Sequence, residues 1–194
     1  MKQYATDKLR NVALIAHGGA GKTSLAEALL FRAGATKRLG NVDDGTSILD
    51  YDSEEIKRKI SISASVAPAE WDNHKINLLD TPGYFDFAGE VIGSLRVSDG
   101  CVVVVCASSG VEVGTEKVWR YADDYNLPRL VFVNKLDREN ADFTKVLNQL
   151  QEMYGPQVIP IQLPIGHDVN FKGLVDLVKM KALIYNKGKV EETE

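Results

Sequence analysis

The chain has 194 residues and a net charge of −4, from 23 basic and 27 acidic side chains. Hydrophobic residues make up 44% and charged residues 26%, which excludes a disordered or collagen-like chain and suits one α/β-sized domain with a partial second unit. The mild acidity does not announce a nucleic-acid binder, and the longest apolar run, Cys101–Ala107, is far short of the roughly 20 residues a bilayer requires. No signal-like stretch opens the chain, so the expectation is a protein of the cytoplasm with no membrane or DNA partner.

In chain order, the short apolar run Asn11–Ala16 predicts a strand. Lys22–Ala33 carries Leu25, Ala26, Leu29, Leu30 and Ala33 at helical period, and Gly34 fits its stop. Gly40–Lys59 is polar and lacks one clean period; such a stretch in a compact domain is functional or mobile. Ile60–Trp71 alternates loosely and Lys75–Leu79 is apolar, so the two predict a hairpin with His74 in its turn. Helices are expected over Phe85–Val97, Val113–Tyr125 and Ala141–Tyr154, and strands over Gly100–Ala107 and Arg129–Val133. Strands alternating with helices imply an α/β domain with a mostly parallel sheet covered on both faces. Ligands of such sheets sit beyond the carboxyl ends of the strands.

Three of those strand ends carry chemistry. After the first comes Ala16-His17-Gly18-Gly19-Ala20-Gly21-Lys22-Thr23-Ser24, a phosphate loop with Ala in place of its first Gly. Glycines let successive N–H groups turn toward phosphate oxygens, and the following helix offers its positive end. Lys22 neutralises the terminal phosphates and the Thr23 hydroxyl reaches Mg²⁺. After the third strand comes Asp80-Thr81-Pro82-Gly83: a carboxylate placed to hold Mg²⁺ through water, then a glycine N–H free for the terminal phosphate. After the fifth comes Asn134-Lys135-Leu136-Asp137, whose Asp137 can accept two parallel N–H bonds from a guanine edge. The three together point to Mg²⁺ with GTP or GDP.

These motifs resemble those of the translational GTPases, and among them elongation factor G. The similarity extends to Asp86-Phe87, Glu90-Val91, Ser94-Leu95-Arg96-Val97, Thr115-Glu116-Lys117-Val118-Trp119-Arg120 and Phe132-Val133-Asn134-Lys135. Leu163-Pro164-Ile165-Gly166 and Gly173-Leu174-Val175-Asp176-Leu177 resemble the start of that family's insertion. The resemblance implies a P-loop NTPase of three-layer αβα type, with a GTPase core over residues 1–156 and the beginning of the insertion over 157–194. It implies a chain truncated before the closing strand and helix, a monomer, whose parent protein works on ribosomal RNA and proteins. The implied chemistry is ribosome-dependent GTP hydrolysis coupled to translocation or ribosome disassembly, with Lys22, Gly83 and Tyr84 at the reacting phosphate. Gly40–Ser61 and Asp80–Phe87 would sense the bound nucleotide.

The sequence departs from the family pattern in places. Gly18 and Gly19 stand where an apolar residue and Asp are usual. Arg58-Lys59-Ile60-Ser61 replaces Arg-Gly-Ile-Thr, and Ser61 keeps the hydroxyl for Mg²⁺. Tyr84 replaces the histidine that places the attacking water. Two other readings stay open: a guanine-nucleotide switch with negligible hydrolysis, and a sister translational GTPase in release, recycling or ribosome protection. Other residues read as structure: His17 as a loop residue without a catalytic part, His74 and His167 in turns, Trp71 and Trp119 in packing. Cys101 and Cys106 lie about 16 Å apart on opposite strand faces and read as buried, unpaired thiols. The polar tail Gly188–Glu194 is expected to fray.

Overall fold

The computed structural model describes residues 2–186 and 189–193. It forms two compact units, one holding the chain to Val104 together with Glu112–Phe132, the other Val105–Val111 and the chain from Val133 onward.

The first unit is built on a sheet of strands β1 (Leu9–Ala16), β2 (Ser65–Trp71), β3 (His74–Asp80), β4 (Gly100–Cys106) and β5 (Arg129–Asn134), in the order β2-β3-β1-β4-β5. β3 and β4 both run parallel to β1, and β2 is antiparallel to β3. Helix α1 (Lys22–Arg32) lays Ala26 and Leu30 on Leu14, Leu78, Ala67 and Ala69. Between α1 and β2 lies a short helix, α2 (Ser53–Arg58), closed by an Asp52–Glu55 capping box inside the featureless Gly40–Lys59. Helices α3 (Ala88–Arg96) and α4 (Val113–Asp124) pack on each other and on β1, burying Val91, Leu95, Val118 and Ala122. The mixed α/β fold with a mostly parallel sheet is the class expected of a P-loop GTPase domain.

The hairpin turn falls one step earlier than the sequence suggested. Asp72 and Asn73 both have positive φ, 43° and 57°, the backbone hand that matches strand twist in a two-residue turn. His74 is therefore not the turn; it pairs with Trp71 as the first residue of β3. Ile60–Ala64 is not strand, because the N–H groups of Ile62, Ser63 and Ala64 bond carboxylates of Glu55 and Glu90 instead of a ladder. Trp119 is packed as expected, under the Arg129 guanidinium at 4.7 Å, whereas Trp71 is half exposed at a sheet edge.

In the second unit, helix α5 (Phe143–Tyr154) starts at Asp142, whose carboxylate accepts from the Lys145 N–H. Strands β6 (Gln162–Ile165), β7 (Gly173–Asp176), β8 (Lys181–Asn186) and β9 (Lys189–Thr193) form a consecutive antiparallel sheet. The expectation of a frayed tail fails for β9: it pairs with its hairpin neighbour β8 from Asn186↔Lys189 to Ala182↔Thr193, so no distant partner is needed. Gly188 and Glu194 lie outside the described residues. Both cysteines are buried and free. Burial pushes the Cys101 thiol up to about 11. Burial acts the same way on Cys106, but hydrogen bonds from Ser108 and Ser109 outweigh it and bring that thiol down to about 7. Among the described residues, no helix is long and apolar enough to cross a membrane.

Candidate functional site

β1 delivers its chain into the phosphate loop, and two glycines shape the turn. Gly19 (φ 78°) and Gly21 (φ 98°) both occupy the left-handed region that side chains avoid, and Gly21 caps α1. Ala20 contributes only backbone, because its methyl is buried against Ala16 and Val104. The His17 carbonyl accepts from Ala20 N–H and Lys22 Nζ, each at 3.4 Å. Ser24 is exposed in the first turn of α1.

Lys22 is 6% exposed and Asp80 1% exposed. Burial pulls the Lys22 ammonium down to about 8, opposed by the charges of Asp80 and Asp50. Burial pushes the Asp80 carboxyl up to about 7, opposed by the Thr23 hydrogen bond and by Lys22. Each group is thus held in a place where its charge costs free energy. A phosphate chain beside Lys22 and a cation beside Asp80 would offset those costs.

The hydroxyls and carboxylates form one chain. Thr23 Oγ1 donates to Asp80 Oδ2 at 2.7 Å, and Ser61 Oγ donates to Asp50 Oδ1 at 2.7 Å. The two hydroxyl oxygens lie 3.1 Å apart. With both protons given to carboxylates, their lone pairs face each other. Asp80 Oδ1 and Asp50 Oδ2 are buried without a partner. Such an all-oxygen set suits a hard divalent cation, and Mg²⁺ commonly takes its remaining ligands from water and phosphate. It is not a cluster of three or more His, Cys, Asp or Glu side chains; among the described residues none is present.

The structure therefore brings Thr23, Ser61 and Asp80 together, and adds Asp50, which sequence reading missed. Its signal was slight: one carboxylate in a segment without a period. Glu27 was missed too, because a lone carboxylate outside the Leu25, Ala26, Leu29, Leu30 and Ala33 period reads as a solvated helix residue. It is fully buried, and its Oε1 accepts from Ser47 Oγ and Ile48 N–H, tying that segment to α1. Burial raises Asp50 as well, partly offset by the Ser61 hydrogen bond.

The strand end at Asp80 continues into a loop held by Thr81 Oγ1, which donates to the Leu14 carbonyl at 2.7 Å. A Cβ on Gly83 would lie 2.6 Å from Lys22 Nζ and 2.7 Å from Gly18 Cα, so this backbone meets the phosphate loop only as glycine. The Tyr84 ring lies over Gly18 and is about half exposed. Phe85 stands edge-on to His17, with Lys117 Nζ 4.5 Å from its ring centre.

Asn134, Lys135 and Asp137 lie in the second unit. The Asn134 carbonyl accepts from Ala107 N–H at 2.8 Å, and its side chain accepts from Lys135 N–H at 2.9 Å. Lys135 adopts φ 63°, which turns the chain sharply and leaves Asp137 exposed beyond the strand end.

The sequence model described as "Elongation factor Tu GTP binding domain" matches residues 7–191. A protein of Thermus thermophilus with a known crystal structure is 42% identical, with a TM-score of 0.90 over 95% of this chain. The match covers 28% of that protein, so this chain spans little more than a quarter of its length.

Proposed function

The chain belongs to the family of elongation factor Tu GTP-binding domains, and from that premise we propose that it is the GTP-hydrolysing domain of an elongation factor G-like protein. The parent protein would couple hydrolysis to movement or disassembly of the ribosome. Residues 1–156 would be the GTPase core, and 157–194, with its separate sheet, the start of an insertion.

The observation that carries this reading is the polar chain in which Thr23 donates to Asp80, Ser61 donates to Asp50, and the two hydroxyl oxygens meet at 3.1 Å. It ties the phosphate loop to the segment that would sense the nucleotide. Thr23 and Ser61, with Asp80 and Asp50 behind them, would hold Mg²⁺. The cation, when bound, neutralises charge on the phosphate oxygens. Lys22 and the N–H groups of His17–Thr23 would cradle the phosphates and stabilise charge developing on the transferred group. The Gly83 N–H would bind the terminal phosphate, and its loss on hydrolysis would release Asp80–Phe87. Ser61 would be released in the same step. Asn134, Lys135 and Asp137 would select guanine.

Tyr84 favours a second reading, a switch that binds GTP but hardly cleaves it. A phenol has no cationic form at neutral pH, unlike an imidazole, although it can still hydrogen-bond a water. Phosphate release by the full-length parent, with and without ribosomes, separates the two. Ribosome-stimulated turnover supports the enzyme; tight GTP binding without turnover supports the switch.

A further inference from the structure

We infer that the first turn of α4 positions the phosphate loop through His17, with Gly114 and Glu112 as the positioning residues. The inference rests on the reading of His17–Thr23 as the seat of a nucleotide's phosphates. Glycine is a poor helix former, and Gly114 is the second residue of an α-helix. The structure supplies a reason for it. A Cβ there would lie 2.4 Å from His17 Nδ1 and 2.9 Å from His17 Cα. The second of these is backbone and cannot swing aside.

The imidazole is thus fixed from two sides by one helix turn. Nδ1 is buried without a hydrogen-bond partner, on the side facing Gly114. Nε2 lies 3.5 Å from Glu112 Oε1, at the residue preceding α4. Phe85 borders the ring at 6.4 Å between centroids. The carbonyl of this same histidine receives both Lys22 Nζ and Ala20 N–H. Displacing His17 therefore moves the acceptor that orients Lys22 and closes the loop, without altering a side chain that would contact phosphate. One turn further along α4, Lys117 sits over Phe85. The same helix thereby grips the phosphate loop and the loop that carries Gly83 and Tyr84.

The test uses the whole chain and the variants Gly114→Ala, Glu112→Ala, His17→Ala and Gly114→Ala/His17→Ala. Affinity is read by titrating fluorescent methylanthraniloyl-GDP, fold by thermal melting without nucleotide, and loop geometry by the amide resonances of Gly18, Gly19 and Gly21. Gly114→Ala should weaken GDP at least tenfold while the nucleotide-free melting temperature holds or rises, since alanine is the better helix former. The loss should shrink only in part in the His17→Ala background, which removes the Nδ1 contact but keeps the Cα and Cβ that the added methyl meets at 2.9 and 3.0 Å. Glu112→Ala, at a partly exposed position, should weaken GDP severalfold and move the same resonances. Unchanged affinity and resonances in both single variants would overturn the inference. If the parent and Lys22→Ala bind GDP equally poorly, the nucleotide reading itself fails. The resonances of the ligand-free chain then decide: shifts in Gly114→Ala uphold the positioning, and unmoved peaks refute it.

Discussion

Tyr84 rests on Gly18: a Cβ added to Gly18 would stand 3.4 Å from Tyr84 Cζ and 3.5 Å from Cε2. That is ordinary contact distance for a methyl group, so any atom added beyond it on this side would crowd the ring. The two departures from the family pattern are therefore steric partners. We predict that Gly18→Ala is tolerated, whereas Gly18→Ile impairs ribosome-stimulated GTP hydrolysis by the full-length parent. The impairment should be smaller in a Tyr84→His background, where the ring is shorter. Residues in contact couple by roughly 0.5–3 kcal/mol, which a double-mutant cycle on the hydrolysis rate resolves. Additive effects would show that the two positions act independently.

Ser61 offers a second measurement. Its hydroxyl touches both Asp50 and Thr23, so it joins the Gly40–Ser61 segment, the proposed switch, to the phosphate loop. Ser61→Ala should weaken GTP relative to GDP, because only the triphosphate state is expected to recruit this segment. Hydrogen bonds to charged groups are worth about 1.5–3 kcal/mol, so the GTP/GDP ratio should fall by roughly tenfold or more. Ser61→Thr should behave like the parent. Equal weakening of both nucleotides would place Ser61 in the fold and not in the switch.

The proposed choice of guanine assigns the base contact to Asp137, exposed at the end of the Asn134–Asp137 turn. Asp137→Asn offers one acceptor and one donor where guanine presents two donors. Mismatches of this kind cost up to about 10⁴ in discrimination. GTP should weaken strongly and XTP gain relative to it. Parent-like GTP affinity in a competition assay would remove Asp137 from the base site.

The buried pair Lys22 and Asp80 predicts a pH dependence in the absence of nucleotide and divalent cation. Asp80 titrates near 7 in the fold and near 3.8 when unfolded, so the folded chain holds the extra proton between those values. Stability therefore falls as pH rises from about 4 to about 7, by on the order of 4 kcal/mol from this group alone. Lys22 titrates near 8 folded and 10.5 unfolded, so its penalty is full below 8 and fades as pH climbs toward 10.5. Asp80→Asn should gain on the parent steadily between pH 4.5 and 7 in denaturant titrations. Parallel curves for the two proteins would contradict the assignment.

Much of the site was legible because its parts are local. A phosphate loop is a run of glycines, a lysine and a hydroxyl in one turn, and a strand before with a helix after defines its backbone. Lys22, Thr23 and Asp80 could be placed from spacing alone, as could the alternation of strands and helices that makes the sheet parallel. Residue sizes point to room for Tyr84 at Gly18 and Gly19 alike, but only Gly18 meets the ring; a Cβ on Gly19 would have nothing within 4 Å. What tertiary structure alone decided involves chain segments that meet without any periodic signal. Asp50 reaches Ser61, Glu27 fastens Ser47 and Ile48, and Gly114 makes way for His17. None of these groups stands out in its own neighbourhood. Glu27 reads as a solvated helix residue, and Gly114 as a weak spot in a helix. Likewise β6–β9 are short, and β9 is exposed along its whole length, so no apolar alternation marks it; its order comes from hydrogen bonds to β8. Local chemistry is written in neighbouring residues, whereas a close approach of backbones or a buried carboxylate gains its meaning only from the element packed against it.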